Sequence, residues 1–293
     1  MDFGRLITAM VTPFHENGSI NYSEAQRLAN YLLDNGSDGL CVAGTTGESA
    51  TMNQEERRQL FLAVQEVTRE RGASLIAGCG SNNTADTIRL CRMAQEVGAD
   101  AALLVTPYYN KPPQDGLYAH YAAVAEAVEL PLVLYNVPGR TGVNMKPDTV
   151  ARLAQLPNIV ALKEATGDMD QMSLLSAKTP ADFLIYSGED SALLPMLSLG
   201  ACGVISVSSH IVGPSMKEMI VAWEEGKTEQ ALELHLSCFD AFQKMFLTTN
   251  PLPVKYAMQR LGFQMGPCRL PLTWVTDEQA ASIDALLQHL GLL

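Results

Sequence analysis

A lysine stands at the end of an apolar run, Asn158-Ile159-Val160-Ala161-Leu162-Lys163-Glu164-Ala165-Thr166-Gly167. The run reads as a buried strand that breaks at Thr166-Gly167. Alternation puts Ile159, Ala161 and Lys163 on one face and Val160, Leu162 and Glu164 on the other. Burying an ammonium is costly unless it is paired or neutralised. A desolvated lysine loses its proton more readily and attacks carbonyls to form a Schiff base. The plain alternatives are that Lys163 reaches out to solvent or pairs with Glu164.

Other strand ends supply matching chemistry. Gly44-Thr45-Thr46-Gly47-Glu48-Ser49 places two hydroxyls between glycines just ahead of a helix. Such a turn can offer hydroxyls and free N–H groups to a carboxylate, or be an ordinary glycine turn. Leu134-Tyr135-Asn136-Val137-Pro138-Gly139-Arg140-Thr141-Gly142 gives a phenol at a strand end and an arginine on the turn beyond it. Tyr135 can point into the same mouth as Lys163. The Arg140 fork suits a carboxylate bidentately. Thr106-Pro107-Tyr108-Tyr109-Asn110 sets two tyrosines on a loop, a frequent interface feature. Ser187-Gly188-Glu189-Asp190 and Gly203-Val204-Ile205 end two further strands, with glycines that let backbone approach a ligand. Collected around one mouth, these groups make a coherent carbonyl chemistry.

The elements that must position them alternate. Strands are predicted at 6–9, 39–42, 75–77, 101–105, 132–136, 159–164, 183–187 and 203–206. Helical patterns fall at 23–34, 54–71, 84–96, 117–128, 147–155, 169–177, 192–199 and 214–225. Asn53 and Asn83 read as helix N-caps, and Gly36, Gly72 and Gly98 as helix stops. Eight β-then-α units predict an α/β fold, a (β/α)8 TIM barrel with its site at the C-terminal strand ends. An open doubly wound sheet is the alternative, but Gly78-Cys79-Gly80 lacks the third glycine of a dinucleotide fingerprint. Three more helices, at 228–247, 254–261 and 277–290, predict a C-terminal helical appendage packed outside. The division is therefore a catalytic barrel over 1–226 and an extension over 227–293.

Composition narrows the function classes. The 293 residues carry 20 Lys and Arg against 32 Asp and Glu, a net charge of -12, which argues against nucleic acid. Six cysteines show no metal-ligand spacing and read as small core residues of a reducing compartment. The five histidines lack HxxxH or HxxH spacing, so no metal is expected, and GxSxG is absent. The N-terminus has no signal-peptide pattern and no stretch reads as a membrane span, so a cytoplasmic protein is expected.

The stretches Gly44 to Glu48, Tyr135 to Gly142 and Leu162 to Gly167 together resemble the pyruvate-dependent class I aldolase/lyase family of TIM barrels. The resemblance runs from Gly4-Arg5-Leu6-Ile7 to Leu270-Pro271-Leu272-Thr273. Within that family, the Arg140 turn and the tyrosine loop favour the branch that condenses pyruvate with L-aspartate 4-semialdehyde in the diaminopimelate route to lysine. The resemblance implies that Lys163 forms the Schiff base and that Thr46 helps hold the pyruvate carboxylate. It implies that Tyr135, Thr45 and Tyr109 form a proton relay, with Tyr109 donated across a subunit interface. Arg140 would guide the semialdehyde carboxylate, and the main-chain carbonyls of Gly188 and Ile205 would line the site. No cofactor is implied, and the assembly would be a homotetramer built as a dimer of dimers.

Many such enzymes are inhibited by lysine at a dimer-interface pocket. The matching positions here are Ser49, Ala50, Asn82, Asp86 and Tyr108. Gln54 and Arg57 stand where histidines occur, and Arg57 adds positive charge beside a lysine ammonium, so weak or absent lysine inhibition is expected. Two alternatives stay open. One is a related pyruvate lyase acting on N-acetylneuraminate or a keto-deoxy sugar acid, which would keep Lys163 and Tyr135 but not the arginine. The other is a non-catalytic ligand-binding barrel, against which the intact lysine and phenol argue.

Overall fold

Consecutive Val, Ile, Leu and Ala are what a strand buried on both faces requires. Eight such runs form the sheet of the computed structural model, which describes residues 2–293. They are β1 Leu6–Ala9, β2 Gly39–Val42, β3 Ser74–Gly78, β4 Ala101–Val105, β5 Leu132–Asn136, β6 Ile159–Glu164, β7 Leu184–Ser187 and β8 Gly203–Ser206. All pair in parallel and in sequence order, and β8 returns to β1. The result is a closed TIM barrel, not an open sheet. The register sets Tyr135 of β5 beside Lys163 of β6, and Lys163 beside Tyr186 of β7.

The helices of the barrel are α1 Tyr22–Asp34, α2 Gln54–Arg71, α3 Thr84–Glu96, α4 Gln114–Ala127, α5 Pro138–Thr141, α6 Pro147–Leu153, α7 Met169–Lys178, α8 Leu193–Ser198 and α9 Ser209–Glu224. Asn53 caps α2 in a reciprocal box with Glu56, and Asn83 caps α3 by accepting from the N–H groups of Ala85 and Asp86. Caps of this kind contribute about 1 kcal/mol each.

Departures from expectation have local causes. α4 begins at Gln114, ahead of the expected 117. Its first turn is polar and shows no apolar period. Gln114 instead ties that turn to α6, accepting from Lys146 N at 3.0 Å and Thr149 Oγ1 at 2.7 Å. α9 starts at Ser209, before Pro214, and kinks at Val212, where φ is -124°. Pro214 has no N–H to give, so the chain crosses it only with that break. The Pro138 turn closes as one helical turn, α5.

The last three helices are α10 Thr228–Lys244, α11 Leu252–Arg260 and α12 Asp277–His289. α10 packs along α9, and α11 packs on α12. The sequence places this tail outside the barrel; the structure adds an inward crossing. Between α10 and α11 the chain passes over the barrel mouth, where Phe246 and Asn250 line the central cavity.

Candidate active site

Lys163 comes off the C-terminal end of β6 and is only 5% exposed. Its face is set from behind. The next residue, Glu164, points the other way and is buried. Its carboxylate accepts from Asn136 Nδ2 at 3.1 Å, Gln171 Nε2 at 3.2 Å and Thr166 N at 2.8 Å. Burial pushes the Glu164 carboxyl up, and these hydrogen bonds pull it partly back. Glu164 is thus committed to the outer layer and does not pair with Lys163. Both plain alternatives for the lysine, solvent and Glu164, are absent from the geometry.

The Lys163 ammonium lies 4.5 Å from the centre of the Tyr135 ring. Tyr135 is itself buried. Together they line a cavity of about 90 Å3 with Thr45, Thr46, Arg140, Gly188, Glu189, Phe246 and Asn250.

The loop after β2 is braced by the tail. Asn250 Nδ2 donates to Thr46 Oγ1 at 2.9 Å. Two residues beyond Thr46, Glu48 sits in the left-handed region with φ of 56°. Its carboxylate receives Lys255 Nζ of α11 at 2.8 Å and Arg269 N at 2.9 Å. Both side chains of this ion pair have no exposure. The Lys255 ammonium also lies 4.4 Å over the Phe14 ring. On the β3 side, a Cβ on Gly78 would meet the carbonyl oxygen of Ala43 at 2.0 Å, so only glycine lets the two chains pass there.

Six sequence-predicted residues therefore meet: Lys163, Tyr135, Thr45, Thr46, Arg140 and Gly188. Ile205 is buried on β8 and lies outside the cavity lining, where Val207 faces instead. Tyr109 does not enter the cavity of its own chain. It stands 89% exposed, on backbone held at φ of 72°. A second cavity of about 350 Å3 adjoins the first, sharing Thr45, Arg140 and Asn250. Ser49, Ala50, Arg57 and Tyr108 line it, with Pro271 and Leu272 opposite. Arg57 gives its hydrogen bonds to the carbonyls of Ser49, at 2.6 Å, and Gly78, at 3.3 Å. Burial pulls its guanidinium down. Asn82 borders this region by donating to the Tyr108 carbonyl at 3.2 Å. Asp86 turns away to pair with Arg89, and Gln54 lies in the groove beside Arg89.

Sequence reasoning missed Glu189, Phe246, Asn250 and the Glu48–Lys255 pair. Glu189 carried a signal, since it directly follows a strand-end glycine. The pair carried none, because its members are 207 residues apart.

Fold and mouth together define a class: TIM-barrel enzymes with an amine at the end of the sixth strand. The chain matches the dihydrodipicolinate synthetase family over residues 2–290. It is 51% identical to the 4-hydroxy-tetrahydrodipicolinate synthase of Desulforamulus reducens, covering 100% of this chain and 99% of the relative. It is 52% identical to the protein of the same name from Thermosynechococcus vestitus, with coverage of 100% and 99%. Among solved structures, DHDPS from Cyanidioschyzon merolae with lysine bound superposes with a TM-score of 0.97, at 45% identity and 99% coverage of each chain. The protein belongs to the dihydrodipicolinate synthetase family.

Proposed function

We propose that the protein is a 4-hydroxy-tetrahydrodipicolinate synthase that condenses pyruvate with L-aspartate 4-semialdehyde. The observation that carries the reading is the meeting of Lys163 and Tyr135, side by side in register, with Thr45, Thr46 and Arg140 around one small cavity. The Lys163 amine attacks C2 of pyruvate and water leaves, giving a protonated imine. Thr46 holds the pyruvate carboxylate. The imine is an electron sink, so the methyl carbon gives up a proton and becomes an enamine nucleophile. Tyr135 and Thr45, completed by Tyr109 of a neighbouring subunit, move the protons. Arg140 receives the carboxylate of the semialdehyde as the enamine attacks its aldehyde carbon. Closure of the substrate amine onto the imine carbon expels Lys163.

The tail over 227–293 covers the barrel mouth of 1–226 and braces it. The exposed Tyr109 calls for a partner. An apolar stripe of Leu232, Leu236 and Phe239 on α10 offers a separate surface, so two kinds of contact can build a homotetramer as a dimer of dimers. No helix among the described residues is long and apolar enough to cross a membrane. The six free cysteines suit the cytoplasm.

The test is turnover. Pyruvate consumption with L-aspartate 4-semialdehyde is compared with cleavage of N-acetylneuraminate and of keto-deoxy sugar acids. Selective use of the semialdehyde is expected. Preference for a sugar acid would keep the Schiff base and overturn the role given to Arg140.

A further inference from the structure

The cavity holds one carboxylate that the reaction described so far leaves unused. Glu189 lines it with Lys163 and Arg140, and among the lining residues it is the one acid. Its place is built. Gly188 precedes it, and a Cβ there would meet Ala165 Cβ at 2.6 Å and Lys163 Cε at 3.1 Å. The chain therefore runs against the lysine stem and delivers Glu189 one residue later. The buried hydroxyl of Ser187 then clamps Glu189 by both main-chain groups. It donates to the Glu189 carbonyl at 2.7 Å and accepts from its N–H at 3.2 Å. The Glu189 carbonyl also accepts from Ala192 N at 3.2 Å, and all three hydrogen bonds use the backbone. The carboxylate is left without a partner, half-buried at the mouth.

L-Aspartate 4-semialdehyde brings two charges to this mouth, a carboxylate and an α-ammonium. Arg140 answers the first. Resting on the proposed synthase reading, we propose that Glu189 answers the second: it binds the α-ammonium and takes one of its protons before ring closure. The step balances. The ammonium passes one proton to the Glu189 carboxylate, leaving a neutral amine and a carboxylic acid. The amine lone pair forms the new C–N bond at the imine carbon, and the C–N bond to Lys163 breaks as that nitrogen takes a proton from the ring ammonium. Burial, together with the charge of Asp190, raises the proton affinity of Glu189, and Lys163 and Arg140 oppose this. That balance suits a group that must accept a proton from an amine.

The experiment compares wild type, Glu189→Gln and Glu189→Asp, all as the full-length protein. Wild-type turnover of the semialdehyde is measured first. Borohydride trapping of pyruvate on each protein then reports a folded, competent Lys163. In Glu189→Gln the kcat/KM for the semialdehyde is expected to fall about ten- to a hundredfold, the range for a lost charged hydrogen bond. Trapping of pyruvate should persist, and Glu189→Asp should recover part of the loss. The decisive probe is 4-oxobutanoate, the same aldehyde without the amine. Its inhibition constant should be unchanged between wild type and Glu189→Gln. An equal loss of 4-oxobutanoate binding, or wild-type kcat/KM in Glu189→Gln, would overturn the inference alone. Wild type that traps pyruvate yet leaves the semialdehyde untouched would overturn the synthase reading, and this inference with it.

Discussion

At the scale of residues, burial and neighbours decide what each group can do. Lys163 is buried, faces a phenol and has no carboxylate bonded to it, so its amine is free for a carbonyl. Lys255 is more deeply buried still, yet it is locked to Glu48 and is structural. Two buried lysines thus differ in whether a carboxylate holds the ammonium. The expected outcome for Lys163→Ala is loss of borohydride-dependent attachment of pyruvate, read by intact-protein mass. Tyr135→Phe should keep the attachment and lower kcat by about 10² to 10⁴, the usual contribution of a positioned proton carrier. Retained pyruvate attachment in Lys163→Ala would place the Schiff base elsewhere. Lys163 and Tyr135 stand at the ends of apolar runs, and Thr45, Thr46 and Arg140 on turns just beyond such runs, so the sequence marks the five residues that line one cavity in the structure. For Asn250 the sequence offers no mark, and for Glu189 only the strand-end glycine before it. What identifies them is proximity in space, which only the closed barrel and the tail's return over its mouth create.

At the scale of elements, strand bounds were legible almost to the residue, since runs buried on both faces stop where the polar loops begin. Helix starts were less so. α4 opens with polar residues recruited by α6, and α9 straddles a proline. The brace between the β2 loop and α11 was invisible for another reason: nothing local marks Glu48 and Lys255 as partners. Removing one of them strands the other. Lys255→Met should lower unfolding stability by about 3–5 kcal/mol in urea titrations, with partial recovery when combined with Glu48→Gln. Activity should fall as well, because Glu48 anchors the loop that carries Thr45 and Thr46.

A second element-scale prediction concerns α9. His210 is fully buried near its start. Its Nδ1–H donates to Val207 O at 2.8 Å, and its Nε2 accepts from Val11 N at 3.3 Å. Both bonds need the neutral ring, and burial lowers its pKa to about 4. In the unfolded chain the ring takes a proton near its ordinary value of about 6.5. Between those values the unfolded state binds more protons, so this contribution to stability is present above pH 6.5 and lost as pH falls toward 4. His120, also lowered to about 4 by burial, acts the same way. Glu164 and Glu189, raised by burial, act in the opposite sense. Urea titrations at pH 7.5 and 5.0 should therefore show a smaller acid loss for His210→Gln than for wild type. Equal losses would mean that His210 does not titrate as placed.

At the scale of the whole molecule, Tyr109 stands apart from the cavity that Lys163, Tyr135 and Arg140 line. Tyr109 extends into solvent, and the larger cavity beside Thr45 and Arg140 opens toward the same loop region through Tyr108. The large chamber also bears on regulation. Arg57 carries its charge on that wall with no carboxylate paired to it, so a lysine ammonium meets repulsion there. A lysine titration should show weak or no inhibition, and strong inhibition below about 1 mM would contradict this. The sharper consequence concerns Tyr109. If it completes the neighbour's site, Tyr109→Phe and Lys163→Ala are defective in different chains of a pair. A mixed dimer then has one site with both defects and one site with neither. Random re-pairing makes half of the dimers mixed, each with one of two sites restored, so the recovered activity should approach about a quarter of wild type. Unmixed controls should stay inactive. Failure to recover activity in dimers shown to contain both chains would place the action of Tyr109 within its own chain, or outside the relay altogether.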